Sequence, residues 1–346
     1  MKILVTGGTG YIGSHTVVEL MRNGFDVVIV DALFNSQAKA VDAIEKIVGR
    51  RPEFESFDLT CRKKTGDFFD RHTDIQGVIH FAAHKAVGES VKDPLKYYRN
   101  NVVSLINVIE EMGKHNVPNI VFSSSSTVYG QPDPEFLPIP EHAPVKKAEN
   151  PYGNTKQIAE SIIADTIKSE DKLRGIALRY FNPVGAHESA MIGELPNGVP
   201  NNLMPYITQA AYGIRPTLKV FGNDYPTPDG TPIRDYIHIM DLANAHVVAI
   251  KRMTEGRMKK SFEIFNIGTG TGYSVFDVIK SFEKTSGVKL NYEIAPRRSG
   301  DTTEVWADPS FSNRELGWKA ERNLDDMTRS AWKWEQAYRK GETLFE

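Results

Sequence analysis

The sequence predicts an α/β protein, built as a doubly wound parallel sheet with a second, smaller α/β region after it. Three observations predict this class. Short apolar runs alternate with segments of helical periodicity through the first half of the chain. A glycine-rich turn follows the first of those runs and opens the first helical segment. After about Asn182 the composition shifts toward Pro, Gly and Asn, with long loops between short strands.

Taken in order, Ile3-Leu4-Val5, Val27-Val28-Ile29-Val30, Val78-Ile79-His80-Phe81, Ile120-Val121-Phe122 and Ile176-Ala177-Leu178 read as buried strands. Residues 15–23, 38–48 and 95–115 between them carry apolar positions at helical spacing. Strand, helix, strand repetition implies a parallel sheet covered on both faces. The change of character divides the chain into residues 1–181 and 182–346. Residues 325–339 read as a surface helix with Met327, Ala331, Trp334 and Tyr338 on one side.

Composition narrows the function classes. A length of 346 residues, 40% of them apolar and 25% charged, is ordinary for a globular chain. The net charge of −2 offers no electrostatic attraction to nucleic acid or to an anionic membrane surface. The single cysteine, Cys61, allows no internal disulfide and no Cys-rich zinc site, and the nine histidines show no metal-ligand spacing, so no metal is expected. His80 reads as a satisfied core histidine. No apolar run approaches the roughly 20 residues of a membrane helix, and the first residues do not read as a signal peptide. The cytoplasm is the expected compartment.

Gly7, Gly8, Gly10 and Gly13 sit at the first strand–helix junction. Glycine there permits a tight turn and lets backbone N–H groups approach a pyrophosphate at the helix N-terminus. Asp31 closes the second strand, where a carboxylate accepts from a ribose diol and repels a 2′-phosphate, which favours NAD over NADP. This combination predicts a Rossmann dinucleotide-binding half. Tyr152 and Lys156, at i and i+4, share one face of a helix that Pro151 opens. An ammonium beside a phenol favours the phenolate, as acid/base chemistry requires. The run Ser123-Ser124-Ser125-Ser126-Thr127 ends a strand at the sheet edge where α/β proteins bind ligands.

Longer runs carry a closer resemblance. Gly-Gly-Thr-Gly-Tyr-Ile-Gly-Ser-His (7–15), Ser-Ser-Thr-Val-Tyr-Gly (125–130), Pro-Tyr-Gly-Asn-Thr-Lys (151–156), Arg179-Tyr180-Phe181-Asn182-Pro183-Val184-Gly185-Ala186, Pro200-Asn201-Asn202-Leu203-Met204-Pro205-Tyr206, Arg234-Asp235-Tyr236-Ile237-His238 and Ala295-Pro296-Arg297-Arg298-Ser299-Gly300-Asp301 resemble the UDP-glucose 4-epimerase family, in the extended short-chain dehydrogenase/reductase group. The similarity runs from residue 1 to about 335.

The resemblance implies a reversible C4 epimerisation with tightly held NAD. Tyr152, Ser125 and Lys156 would be catalytic: Tyr152 as acid/base, Ser125 on the sugar 4-oxygen, Lys156 on the nicotinamide ribose. Cofactor contacts would come from Gly7, Gly10, Tyr11, Ile12, Gly13, Asp31, Ala32, Leu33, Asn35, Ser36, Asp58, Leu59, Phe81, Ala82, Ala83, Lys85, Asn100, Ser123 and Phe181, together with Tyr152 and Lys156. The UDP-sugar would meet Lys85, Asn182, Asn202, Leu203, Lys219, Val220, Phe221, Arg234, Tyr236, Arg298, Asp301 and Val305, besides Ser125 and Tyr152. At position 305 the family carries a gate for the C2 substituent. The small Val305 implies room for an N-acetyl group, and so activity on UDP-GlcNAc and UDP-GalNAc as well. The family also implies a homodimer. A nucleotide-sugar 4,6-dehydratase or 4-ketoreductase would begin with the same oxidation, but Ser126-Thr127-Val128 lacks the Asp-Glu pair that dehydratases place there. A non-catalytic NAD-sensing regulator would not need the Tyr/Lys pair that this chain keeps.

Overall fold

The structure, a computed structural model, describes residues 1–170, 172–298 and 301–345. Ser299 and Gly300 of the quoted 295–301 run lie outside the described residues. In chain order the first half forms β1 (Lys2–Thr6), α1 (Tyr11–Arg22), β2 (Asp26–Asp31), α2 (Lys39–Val48), β3 (Glu53–Ser56), α3 (Arg62–Arg71), β4 (Ile75–His80), α4 (Val87–Lys92), α5 (Pro94–Lys114), β5 (Asn119–Ser125), α6 (Pro151–Ser169) and β6 (Arg174–Tyr180). All five expected strands are present. Strand β3 escaped the sequence reading because Glu53-Phe54-Glu55-Ser56 is a polar edge strand.

The second half forms β7 (Asn182–Val184), α7 (Leu203–Ala211), β8 (Leu218–Phe221), β9 (Ile233–His238), α8 (Ile239–Thr254), β10 (Phe262–Ile267), β11 (Gly272–Ser274), α9 (Val275–Ser286), β12 (Tyr292–Ala295), β13 (Glu304–Val305) and α10 (Leu324–Arg339). The main sheet has seven parallel strands in the order β10-β6-β5-β4-β1-β2-β3. Successive strand residues point to opposite faces. Ile3 and Val5 therefore enter one core with Val27, Ile29 and the helices α1 and α8, while Leu4, Val28 and Val30 enter the other with Leu105 and Val108 of α5. Both faces are dry, which is why these strands read as unbroken apolar runs.

Two elements from beyond residue 181 return to this sheet. Helix α8 packs on α1, and β10 adds the outermost strand, from Phe262 opposite Gly175 to Ile267 opposite Tyr180. The division read from the sequence at 181/182 follows the change in composition, whereas the sheet takes strands from both sides of it. In the second region β9 is central, pairing with β7 and β13 in parallel and with β11 antiparallel; β8 pairs with β12. Val184, Met204, Ile207, Phe282 and Met327 form its core. Met327, Ala331 and Trp334 of α10 turn inward, on the side that the periodicity indicates. No helix among the described residues is long and apolar enough to cross a membrane.

His80 pairs with Thr6 Oγ1 through Nδ1 at 3.0 Å, but its buried Nε2 has no partner among the described residues, so it is only half satisfied. Burial holds it neutral together with His15, His238 and His246. Lost hydration pushes the first three down to about 3 and His246 to about 4. The unfolded chain protonates histidine near pH ~6.5. Below that pH the unfolded state binds more protons than the folded one, so stability falls with acidification until the folded values are reached. The slope is up to ~1.4 kcal/mol per pH unit for each histidine. Urea midpoints are expected to be clearly lower at pH 5 than at pH 7; equal midpoints would refute this reading.

Candidate functional site

The sequence-predicted cofactor residues gather along the carboxyl ends of the parallel strands. Gly7 follows β1, Asp31 ends β2, Phe81 follows β4, Ser125 ends β5 and Phe181 follows β6. This edge is where open α/β sheets bind ligands. Gly7 holds a left-handed φ of 71°, and a Cβ there would lie 2.9 Å from the Ala82 nitrogen. A Cβ on Gly13 would lie 2.2 Å from the Gly7 carbonyl oxygen. Only glycine permits so close an approach. Gly10 caps α1 without a side-chain hydrogen bond and no acid stands in its first turn, so the N–H groups there stay available to an anion.

Asp31 is buried and shapes the next loop. One carboxylate oxygen accepts from the Thr9 N–H at 3.2 Å; the other accepts from the Leu33 N–H at 2.9 Å and the Ser36 hydroxyl at 3.2 Å. These bonds hold Leu33 at a φ of 58°, a left-handed conformation costing roughly 1–2 kcal/mol for a residue with a side chain. Ala32 and Asn35 belong to the same loop. Asp58 accepts from the Thr60 N–H, and the Leu59 carbonyl accepts from Asn107 at 2.8 Å. Phe81 packs on His246, Ala82 donates to Thr6 Oγ1, and Ala83 follows it. Ile12 packs into the core, while the Tyr11 hydroxyl donates to the Gly185 carbonyl at 2.6 Å and so crosses to the second region. Asn100 stands beside Asn101, which the sequence reading missed. Asn101 bonds the His84 backbone at both its N–H and C=O and reaches Thr155, tying the loop after β4 to α6. These features fit a dinucleotide: a cradle that a Cβ would fill, unengaged helix N–H groups and an acid at the end of β2.

Tyr152 lies in the first turn of α6, whose N-cap Asn150 accepts from the Gly153 N–H at 2.9 Å. The Ser125 hydroxyl is the polar side chain that acts on the Tyr152 phenol. Lys156 Nζ lies 5.8 Å from the Tyr152 ring centre and donates to the Ser123 carbonyl at 2.5 Å, and the Ser123 hydroxyl bonds to Tyr180. The structure thus brings Ser123, Ser125, Tyr152 and Lys156 together. It corrects the expected electrostatics. Desolvation pushes Tyr152 up to about 12, with the Ser125 hydrogen bond opposing, and burial pushes Lys156 down to about 7, with the charge of Glu160 opposing. Burial among the chain's own groups therefore favours a neutral phenol.

On the facing side, the Asp301 carboxylate stands between Arg234 Nη2 at 3.6 Å and Arg298 Nε at 3.2 Å. The Arg298 guanidinium lies 4.7 Å from the Phe221 ring centre. Two guanidinium forks against one carboxylate leave net positive charge suited to a pyrophosphate. Arg234 and Tyr236, two residues apart, share a face of β9, and burial pushes the Tyr236 phenol up to about 12. Asn182 pairs in register with Tyr236. Asp235 points the other way, accepting from Thr269, Gly270 and Ala307. Lys219 and Val220 do not join this group: Val220 enters the core on the face of β8 opposite Phe221, and Lys219, on the same face as Phe221, is exposed and lies 3.7 Å from Glu293. Leu203 packs against the second core, and Asn202 donates to Glu194 at 2.8 Å. Val305 lies opposite Arg234 in the sheet, packed on the cluster of Val128, Tyr129, Ile139 and Phe181. Among the described residues no cluster of three or more His, Cys, Asp or Glu could hold a metal.

The family model described as the NAD dependent epimerase/dehydratase family matches residues 3–268. A UDP-glucose 4-epimerase from Yersinia enterocolitica is 50% identical over 97% of this chain and 98% of its own. The chain belongs to the UDP-glucose 4-epimerases of that family. A UDP-glucose 4-epimerase from Stenotrophomonas maltophila, solved with NAD and formylated UDP-arabinopyranose, is 48% identical and superposes with a TM-score of 0.94 over 99% of both chains. That of Bifidobacterium longum, solved with NAD+ and UDP, is 44% identical with a TM-score of 0.93 over 99% of this chain and 100% of its own. Of the residues to which the sequence reading gave no role, Asn101, Glu160 and Glu194 stand behind or between the contacts and outside the quoted runs, and Tyr180 lies within one of them.

Proposed function

We propose that this chain interconverts UDP-glucose and UDP-galactose through a transient 4-keto sugar. The observation that carries the reading is the grouping of Ser123, Ser125, Tyr152 and Lys156 between a dinucleotide cradle and a paired-arginine site. Tyr152 takes the proton from the sugar 4-hydroxyl while Ser125 holds that oxygen. NAD would be held by Gly7 to Gly13, Asp31 and Lys156, and would supply a reversible hydride acceptor and a positive ring charge near Tyr152. Arg234 and Arg298 hold the pyrophosphate, and the keto sugar turns so that its other face regains the hydride. Because the oxidised cofactor is restored in each cycle, it need not leave. Purified protein given UDP-galactose without added cofactor is expected to form UDP-glucose; no conversion even with NAD supplied would sink the reading. A 4-keto-6-deoxy product would instead favour a dehydratase.

The substrate range extends to UDP-GlcNAc and UDP-GalNAc, because Val305 is small and packs at the edge of the Tyr129–Phe181 cluster. Val305→Tyr is expected to lower kcat/KM on the N-acetyl pair by about 10²-fold or more, as a steric clash of a few kcal/mol requires. UDP-glucose and UDP-galactose turnover should change little. Equal losses on both pairs would count against the gate.

The functional unit is a homodimer. Val91 of α4 with Leu95, Val103 and Ile106 of α5 are exposed apolar side chains, and α5 packs on α6, which carries the partly buried Ile158 and Ile162. A second copy covers this face. Light scattering should give twice the chain's mass, and Leu95→Glu/Ile106→Glu should halve it; a wild-type monomer would refute the dimer.

A further inference from the structure

Glu194 has no part in the proton and hydride steps, yet it stands where the two halves of the cleft meet. It follows Gly193, which presses on the ring of Trp334 so closely that a Cβ would lie 2.3 Å from it. The Trp334 indole N–H in turn donates to the Glu194 carbonyl at 3.0 Å. Helix α10 therefore fixes the backbone of this position from below. The Glu194 side chain is only 12% exposed and its carboxylate meets Lys85 of the first region and Asn202 of the second. One oxygen, Oε1, accepts from Asn202 Nδ2 at 2.8 Å and lies 3.5 Å from Lys85 Nζ. Lys85 comes from the loop after β4 and its Nζ lies 5.9 Å from the Tyr11 ring centre; Asn202 caps α7.

We infer that Glu194 is a positioning residue for the UDP-sugar: its single carboxylate oxygen sets Lys85 and Asn202, from opposite sides of the cleft, in the arrangement that receives the nucleotide-sugar. The inference rests on the epimerase reading for the nature of the ligand. A long lysine side chain otherwise samples many rotamers, and fixing one on binding costs up to ~2 kcal/mol. A carboxylate that already holds the ammonium and the amide removes part of that cost before the ligand arrives. The effect belongs to ground-state binding, because neither Lys85 nor Asn202 is assigned a proton or hydride step.

The experiment measures KM, kcat and bound NAD for holoenzyme carrying Glu194→Gln and Glu194→Ala, with UDP-galactose as substrate. The glutamine keeps an acceptor for Asn202 and loses the ion pair, so KM should rise about threefold. The alanine loses both contacts, and KM should rise about tenfold. In both, kcat should stay within about twofold of wild type, as loss of uniform binding requires, and NAD content and melting temperature should hold. In a Lys85→Met background, Glu194→Gln should move KM by less than about twofold, because the two residues act through one contact. Two results would overturn the inference: an unchanged or lower KM in Glu194→Ala, or effects of Lys85→Met and Glu194→Gln that multiply independently. Wild-type protein that fails to convert UDP-galactose would overturn the epimerase reading instead, so the two failures are separable.

Discussion

Tyr152→Phe is expected to yield a folded, NAD-loaded protein that converts UDP-galactose ~10²–10⁴ times more slowly, the usual worth of a positioned general acid/base. Phenylalanine keeps the ring, its place in the first turn of α6 and its proximity to Lys156, and loses only the hydroxyl. Without it the 4-hydroxyl has no acceptor for its proton, and C4 cannot release a hydride without forming a carbonyl. Ser125 alone is a poor substitute, since a serine hydroxyl is far less acidic than a phenol. The wild-type protein should also show which cation tunes the phenol. Burial pushes Tyr152 up to about 12 when only the chain's own groups act. A rate that requires the deprotonated phenol should therefore rise with pH, with the apparent pKa lying below that value once NAD adds its ring charge. Variant activity within tenfold of wild type would remove Tyr152 from its assigned role.

Arg179→Met is expected to destabilise the fold by about 3–5 kcal/mol, the usual result of stranding one charge of a buried pair. For a chain of this length that lowers Tm by about 4–7 °C. Arg179 on β6 donates to both carboxylate oxygens of Glu160 on α6, at 2.9 and 2.6 Å, and both side chains are buried. Ser124 adds a third bond to Glu160 at 2.5 Å, and the guanidinium lies 4.8 Å from the Tyr129 ring centre. Removing the arginine leaves a buried carboxylate one helical turn from Lys156, whose ammonium it already stabilises. Pairing the change with Glu160→Leu should recover much of the loss, because it removes the stranded charge. Calorimetry on the single and double variants decides the matter; a single variant within 1 °C of wild type, or a double variant less stable than the single, would contradict the assignment (a shift of that size is under about 1 kcal/mol).

Much of the dinucleotide half was legible because its signals are local. Glycine at 7, 10 and 13, an acid at 31 and a serine at 125 mark strand ends in a regular succession, and the sheet then aligns those ends along one edge. The division of the chain was harder. Strand β10 is not among the strands read from the sequence, and its pairing with β6 shows that it joins the first sheet. On the substrate side the resemblance named Lys219, Val220 and Phe221 together, yet alternation turns Val220 into the core, Lys219 extends outward to Glu293, and Phe221 reaches Arg298.

The sequence by itself determined the class of fold, the dinucleotide cradle and the shared face of Tyr152 and Lys156, since each depends on residues within a few positions of one another. The tertiary structure decided what surrounds them. Burial set the expected Lys–Tyr tuning against two shifts, the Tyr152 phenol raised and the Lys156 ammonium lowered. Packing brought Glu160 to Arg179 and set Glu194 between Lys85 and Asn202. Hydration and distance between remote residues govern such effects, and neither exists until the layers have packed.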